Sequence, residues 1–159
     1  MTTPDKAIQI AVSAHVGQVD KAGQPYILHP LRVMFSVETP HERLAAVLHD
    51  VVEDTEITID DLADEGFPTE VLDAIQALTK LKGESRLDAA MRAVRNPIAR
   101  KVKLADLADN MDMSRIPHPT ASDHARLREY ENVRKLLLNE RQRTLGKDTR
   151  LACGGENKC

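Results

Sequence analysis

The sequence predicts an all-α fold on three observations. Apolar residues recur at helical spacing along most of the chain, period-two alternation is nearly absent, and there is no internal repeat, glycine-rich phosphate loop or low-complexity segment. One compact helical bundle accommodates all three. Thr3 followed by Pro4 caps a first helix through about His15, with Ile8, Ala11 and Val12 on its stripe. Gly17 and the segment Lys21-Ala22-Gly23-Gln24-Pro25 interrupt it, and this loop delivers His29 to a second helix from Pro30 to about Val37. Thr39-Pro40 punctuates the chain. Glu42 to about Val52 then predicts a buried helix, because Leu44, Ala45, Ala46, Val47, Leu48, Val51 and Val52 leave it little polar surface. Thr58 caps a short piece from Ile59 to Asp64, and Pro68 to Leu78 forms another helix on Val71, Leu72, Ile75 and Leu78. Lys80 to Gly83 is a connector, after which Ser85 caps a helix to about Val94. Pro97 opens a longer helix to about Met113, with Asp106 near its middle. Pro117-His118-Pro119 ends that element, and Ser122 or Asp123 starts a final charged helix to about Asn139, with Leu127, Tyr130, Val133 and Leu137 inward. The expected organisation is one domain over residues 1–145 and a disordered tail over 146–159.

The composition narrows the classes of function. With 22 basic and 25 acidic residues the formal net charge is −3, so the global positive field that a nucleic-acid polymer requires is missing. Phosphate recognition must come from a few placed cations, which suits a small phosphorylated ligand. The start Met1-Thr2-Thr3-Pro4-Asp5-Lys6 is no secretory leader, and no stretch is long and apolar enough to span a membrane, so the expected location is cytoplasmic. Cys153 and Cys159 fall in the polar tail, where they are expected as free thiols, with a tail metal site as the alternative.

The densest chemistry lies in Leu48-His49-Asp50-Val51-Val52-Glu53-Asp54-Thr55, with companions in His29, from Tyr26-Ile27-Leu28-His29-Pro30, and Asp106, from Lys103-Leu104-Ala105-Asp106. Adjacent residues on a helix point about 100° apart, so His49 and Asp50 reach one ion only near a helix end, and other helices must supply the remaining ligands. His29 and Asp106 complete a set of two imidazoles and two carboxylates whose charge balances a divalent cation. Mixed nitrogen and oxygen donors suit Mn²⁺, and also Fe²⁺, Co²⁺ or Zn²⁺. Glu53, four residues beyond His49, is the candidate to orient or deprotonate a water. Asp54 beside it completes a carboxylate pair whose pKa values separate into a base and an acid. Hydrolysis of a phosphate or pyrophosphate ester follows from such a set.

These blocks resemble the HD metal-dependent phosphohydrolases, and within them the RelA/SpoT-type small alarmone hydrolase branch. Ala14-His15-Val16-Gly17-Gln18, Lys21-x-Gly23-x-Pro25-Tyr26-Ile27-Leu28-His29-Pro30, His49-Asp50-Val51-Val52-Glu53-Asp54-Thr55, Leu78-Thr79-Lys80 and Lys103-Leu104-Ala105-Asp106-x-x-x-Asn110-Met111 occur in that branch's order, over about residues 6 to 114. The resemblance implies an HD-domain helical bundle with a Mn²⁺ site between helices. It also implies removal of the 3′-pyrophosphate from guanosine tetra- or pentaphosphate, (p)ppGpp, by a metal-activated water. Carried over by position, His29, His49, Asp50 and Asp106 are the metal ligands, Glu53 and Asp54 the catalytic pair, Asn110 a nucleotide contact and Lys21 a residue near the base or ribose.

Three positions depart from the family pattern. Asp20 stands where an arginine packs on the base, and Leu107 and Asp112 stand where cations are usual, so phosphate contacts are expected to be lost along that helix. Arg32, Lys80, Lys82, Lys103 and Arg115 are the cations available to compensate. His15 is expected to pack or to support the site, Asp109 and Asp112 to be helix-surface charges, with a polar network near the metal as the alternative for Asp109, and His41, His118 and His124 to face solvent or cap locally. The basic residues from Arg126 to Lys135 alternate with Glu129 and Glu131, as on a salt-bridged surface. The competing readings are hydrolysis of a different phosphorylated nucleotide or cofactor, and a metal-containing nucleotide sensor without turnover. Nucleic-acid binding is the least favoured.

Overall fold

One helix, Pro40–Leu48, organises the packing. In the computed structural model, which describes residues 2–151 and side chains through Asn139, this helix is α3 of the series α1 Pro4–Ala14, α2 Leu28–Phe35, α3, α4 Val51–Asp54, α5 Ile59–Asp64, α6 Thr69–Leu78, α7 Arg86–Ala93, α8 Pro97–Asn110 and α9 Ala121–Leu151. Every residue from Leu44 to Leu48 is buried, and α3 packs against α1, α2, α6 and α8. Fully burying a side chain the size of Leu48 contributes about 1.5–3 kcal/mol, so this stretch anchors the core. Among the described residues there is no strand beyond an isolated antiparallel bridge of Val19 with Pro25, and no helix is long and apolar enough to cross a membrane.

α3 begins earlier than its apolar run, at Pro40, because Thr39 and Glu42 form a reciprocal cap. Thr39 Oγ1 accepts from the Glu42 amide at 3.2 Å, and Glu42 Oε2 accepts from the Thr39 and Glu38 amides at 3.0 Å each. Burial opposes ionisation of Glu42, but those backbone donors outweigh it and hold the carboxyl below its usual range. The far end of α3 corrects the expectation of one helix to Val52. The helix stops at Leu48, and one further turn, α4, starts at Val51. His49 donates through ring Nδ1 to the Ala46 carbonyl at 2.6 Å, the acceptor a continuous helix offers to the Asp50 amide. Asp50 then sits at φ −97°, ψ −6°, in the sparsely populated bridge region.

Other boundaries move by a few residues. α2 starts at Leu28, so His29 lies inside its first turn, and α8 ends at Asn110, followed by a 3₁₀ turn at Met113–Arg115. Asn96 caps α8 by accepting from the Ile98 and Ala99 amides. α9 opens at Ala121 behind Thr120, which exchanges hydrogen bonds with Asp123, and runs to Leu151, past the expected end at Asn139. The rest of the expected tail, with Cys153 and Cys159, lies outside the described residues.

A smaller core of Ala90, Val94, Leu107, Val133 and Leu137 fastens α9 to α7 and α8. Leu107 is therefore a core residue, 1% exposed, rather than a lost phosphate contact. The α1–α2 loop folds back on itself: the Asp20 amide donates to Gln24 O at 2.8 Å and the Tyr26 amide to Gln18 O at 2.9 Å. Gly23, at φ +75°, makes the turn that a side chain would strain.

Candidate metal centre

Four helical segments bring the predicted ligands together. His29 comes from the first turn of α2, His49 and Asp50 from the break between α3 and α4, and Asp106 from α8, where it is 6% exposed. The ligand atoms of His29, His49 and Asp106 lie within 4.8 Å of one another, an arrangement that could hold a metal ion. Asp50 joins through its Oδ2, which is 2.9 Å from His49 Nε2 and 3.7 Å from His29 Nε2. Asp106 Oδ1 is 3.2 Å from His29 Nε2 and 3.7 Å from His49 Nε2. The interruption after Leu48 is what lets neighbours His49 and Asp50 converge, since in a continuous helix they diverge by about 100°.

The rings are oriented from behind. His29 Nδ1 meets Asp109 Oδ2 at 2.6 Å and His49 Nδ1 meets a backbone carbonyl. Both acceptors lack a proton to give, so each Nδ1 carries the hydrogen and each Nε2 turns toward the cluster. His49 Nε2 is buried without a hydrogen-bond partner, and an orphaned nitrogen among carboxylates fits a cation ligand. Burial works against charge on His49, but Asp50 and Asp106 outweigh it and raise its pKa well above the usual value; on His29 burial is outweighed by Asp106 and Asp109, and its pKa is raised too. Asp106 is held well below the carboxylate range despite burial, by Lys103 and the two imidazoles. A negative cluster that binds protons this firmly suits a divalent cation.

Asp109 takes the second of its two expected places, a polar network beside the cluster, and not the surface. Arg32 Nε donates to its Oδ1 at 2.6 Å, Arg32 Nη2 to its Oδ2 at 3.0 Å, and Arg115 Nη2 to its backbone carbonyl at 2.8 Å. Burial opposes its charge, and His29 and Arg32 hold it well below the usual range. Its spacing of three from Asp106 was the available signal, placing both on one face of α8. Tyr26, part of the motif around His29 but without a role assigned from the sequence, also joins the site: its hydroxyl donates to Asp50 Oδ2 at 2.5 Å, and burial together with Asp50 raises its pKa far above the ordinary phenol value. His15 is buried, with Nδ1 2.9 Å from Gln18 Oε1 and its ring 5.0 Å from that of Tyr26, in the packing role expected. His41, His118 and His124 are exposed.

The cluster floors a cleft with two lobes. The metal lobe, about 290 Å³, holds His29, His49, Asp50 and Asp106, and also Glu53, Asp54, Lys80, Arg86, Lys103 and Asn110. Glu53 Oε2 accepts from the Lys80 amide at 2.8 Å. Asp54 has its pKa raised by burial and by the charges of Asp50 and Glu53. Lys103 Nζ and Asn110 Nδ2 donate to the two oxygens of Asp106 at 2.9 and 2.6 Å. The neighbouring lobe, about 320 Å³, contains Lys21, Arg32, Arg115 and Arg126 together with Asp20, Asp109 and Asp112. The lobes share Tyr26, His29, Asn110 and Tyr130, so they adjoin across the cluster. Every predicted site residue therefore lines the cleft, with Lys21 in the neighbouring lobe and Asn110 in both. Asp20 is tied down there: its Oδ1 accepts from the Ala22 and Gln24 amides, and its Oδ2 is 3.6 Å from Arg115 Nη1.

The HD domain family model matches residues 7–144. The chain is 37% identical over 116 residues to the guanosine-3′,5′-bis(diphosphate) 3′-pyrophosphohydrolase of Haemophilus influenzae, covering 64% of this chain and 17% of that protein. It is 35% identical over 121 residues to the bifunctional (p)ppGpp synthase/hydrolase SpoT of Escherichia coli K12, covering 67% of this chain and 17% of the relative. With the GTP pyrophosphokinase of Streptomyces coelicolor the identity is 35% over 119 residues, 67% of this chain and 14% of the relative. The chain thus spans only 14–17% of the length of these curated relatives. A solved structure of a metazoan ortholog of SpoT, described as hydrolysing ppGpp, superposes with a TM-score of 0.68 at 24% identity, covering 88% of this chain and 94% of the other, a match of fold.

Proposed function

The chain belongs to the HD domain family, and from that premise we propose that it is a metal-dependent phosphohydrolase that removes the 3′-pyrophosphate from (p)ppGpp-like nucleotides. The observation that carries the proposal is the convergence of His29, His49 and Asp106 within 4.8 Å in a cleft that Glu53 and Asp54 line. A site that keeps its metal only for structure needs no such carboxylate pair, which argues against the non-catalytic sensor. The names of the relatives direct the choice of substrate.

His29, His49, Asp50 and Asp106 would hold the cation, with Mn²⁺ the favoured ion for this mixture of imidazole and carboxylate. When bound, such a cation lowers the pKa of water and neutralises charge on a phosphoryl oxygen. Glu53, aimed by the Lys80 amide, takes the proton from the attacking water at its carboxylate. Asp54, whose proton affinity is raised, holds a proton for the departing oxygen of the ribose. Lys80 and Arg86 line the same lobe and supply positive charge beside the pyrophosphate. Lys21, Arg32 and Arg115 meet the rest of the nucleotide in the neighbouring lobe, and Asn110 stands between the two. The acidic Asp20 in that lobe favours a second substrate reading within the same chemistry, a nucleotide other than the guanosine one.

The test is product analysis after metal-free protein is reconstituted with Mn²⁺ and given a panel that includes ppGpp and ppApp, with Glu53→Ala as control. Mn²⁺-dependent pyrophosphate release from ppGpp, lost in the control, supports the proposal. Turnover of another nucleotide alone replaces the substrate and keeps the mechanism. Silence across the panel with metal bound favours a substrate outside the panel or the sensor.

A further inference from the structure

Glu53 reaches the cleft from a single helical turn, α4, too short to hold a side chain rigidly. What fixes it comes from elsewhere: its Oε2 accepts from the Lys80 amide at 2.8 Å. That N–H is one end of the peptide unit joining Thr79 to Lys80. The other end, the Thr79 carbonyl, accepts from Arg92 Nη2 at 2.8 Å. A peptide unit is planar and stiff, so holding its oxygen fixes the direction of its N–H. A charged donor on the oxygen also polarises the amide and strengthens its donation on the far side.

Arg92 is itself seated with care. Its Nε and Nη2 donate to Glu84 Oε1 and Oε2 at 2.9 and 3.0 Å, and its Nη1 to the Ala77 carbonyl at 3.2 Å. Glu84 Oε2 accepts in addition from the Leu81 amide at 2.9 Å, so the peptides on both sides of Lys80 are anchored to one ion pair. The hydrogen bond from Arg92 is the leading cause that holds the Glu84 carboxyl down at about 2, so the pair stays charged wherever the enzyme works. α7, which carries Arg92 and supplies none of the metal ligands, is thereby connected to the reacting carboxylate.

We propose that Arg92, seated on Glu84, is a positioning residue that aims Glu53 into the metal lobe through the Thr79–Lys80 peptide. The inference rests on the reading of Glu53 as the proton acceptor. It predicts coupling between Arg92 and Glu53, which a clamp serving only the α6–α7 connector lacks.

Two measurements separate the possibilities. In the first, amide hydrogen exchange is followed by NMR on the metal-free protein. Arg92→Gln should speed exchange at Lys80 about tenfold, the equivalent of one charge-assisted hydrogen bond, and leave the amides of α3 and α8 protected. Arg92→Lys, which retains a donor for the Thr79 carbonyl, should fall between the two. Unchanged exchange at Lys80, or equal loss of protection through α3 and α8, would overturn the proposal. In the second, turnover of the pyrophosphorylated nucleotide is measured for Arg92→Gln and Arg92→Lys in the native and Glu53→Gln backgrounds. The expected result is a fall in kcat of about tenfold with KM unchanged for Arg92→Gln, less for Arg92→Lys, and under about twofold further loss once Glu53 is replaced. Equal losses in both backgrounds would contradict it. Absence of turnover by the native protein would sink the catalytic reading alone, and the exchange data would still decide whether Arg92 aims the Lys80 amide.

Discussion

The two lobes of the cleft use charge in opposite ways. In the metal lobe the ligand atoms converge on one point from α2, the α3–α4 break and α8, and His49 Nε2 is left without a hydrogen bond. In the neighbouring lobe most charges are paired internally: Arg32 forks onto Asp109, Arg115 lies among Asp20, Asp109 and Asp112 with only its Nε lacking a hydrogen bond, and Arg126 pairs with Asp123. The first gathers donor atoms that could hold a cation. The second must exchange internal pairs for contacts with a ligand, which limits the affinity it adds and lets its side chains discriminate among ligands. The metal lobe should therefore govern whether the reaction occurs, and the neighbouring lobe which nucleotide is taken.

That division can be broken by substitution. The largest effect belongs to His49→Ala, which removes a buried side chain proposed as a ligand; Mn²⁺-dependent turnover should drop at least about 10³-fold, the several kcal/mol that a bound cation supplies. If a coupled pyrophosphate assay finds His49→Ala active, the convergence at the cleft floor has another purpose. Leu107→Arg comes next and probes a position where the family pattern expects a cation. Because Leu107 is enclosed by Ala90, Val94, Val133 and Leu137, the change should cost about 3 kcal/mol of stability in a urea titration without lowering KM. A gain in nucleotide affinity at unchanged stability would mean the side chain faces the cleft.

Asp109 belongs to both lobes, orienting His29 on one side and holding Arg32 on the other. Asp109→Asn should weaken Mn²⁺ binding about 10–100-fold by calorimetry, the usual consequence of loosening a ligand's hydrogen-bond partner. An unchanged affinity would leave the His29 ring oriented by packing alone. Arg115→Gln should raise KM by about 3–10-fold and leave kcat alone, as expected where uniform binding is removed. A matching fall in kcat would extend the chemistry into the neighbouring lobe. The smallest effect is in pH. The Asp109 carboxyl is depressed in the folded protein, so its contribution is present above the unfolded aspartate value of about 3.9 and is lost as pH falls through its lower folded value. The gap in thermal midpoint between metal-free native protein and Asp109→Asn should accordingly close below about pH 4, and should narrow as pH rises through the raised His29 value that Asp109 helps to hold. A gap that persists at lower pH would trace the difference to shape instead of charge.

Much of the metal lobe was legible in the sequence because its ligands are packed into short motifs whose residue types have few structural uses. Helix positions were legible for the same local reason: Thr3, Thr58 and Ser85 cap within three residues of themselves. The break after Leu48 was not, since Leu44–Val52 contains no glycine or proline and the competing acceptor is used by a side chain, His49. For Asp109 the surface reading gave way to its alternative, a polar network near the metal, because its partners Arg32 and His29 are distant in sequence and meet it only once α2 lies along α8. Leu107 illustrates the converse, where a family expectation displaced the simpler inference that a leucine on a helix points to a core. Asp20 looked like a repulsive anion, and its loop hydrogen bonds and neighbour Arg115 came from backbone geometry that composition does not encode.

The most direct test of the claim that the metal lobe is the reactive one is anomalous diffraction from crystals of the Mn²⁺-loaded protein. The account predicts one strong peak at coordinating distance from His29 Nε2, His49 Nε2, Asp50 and Asp106. A peak among Asp20, Asp109 and Asp112 instead, or none at saturating Mn²⁺, would contradict it.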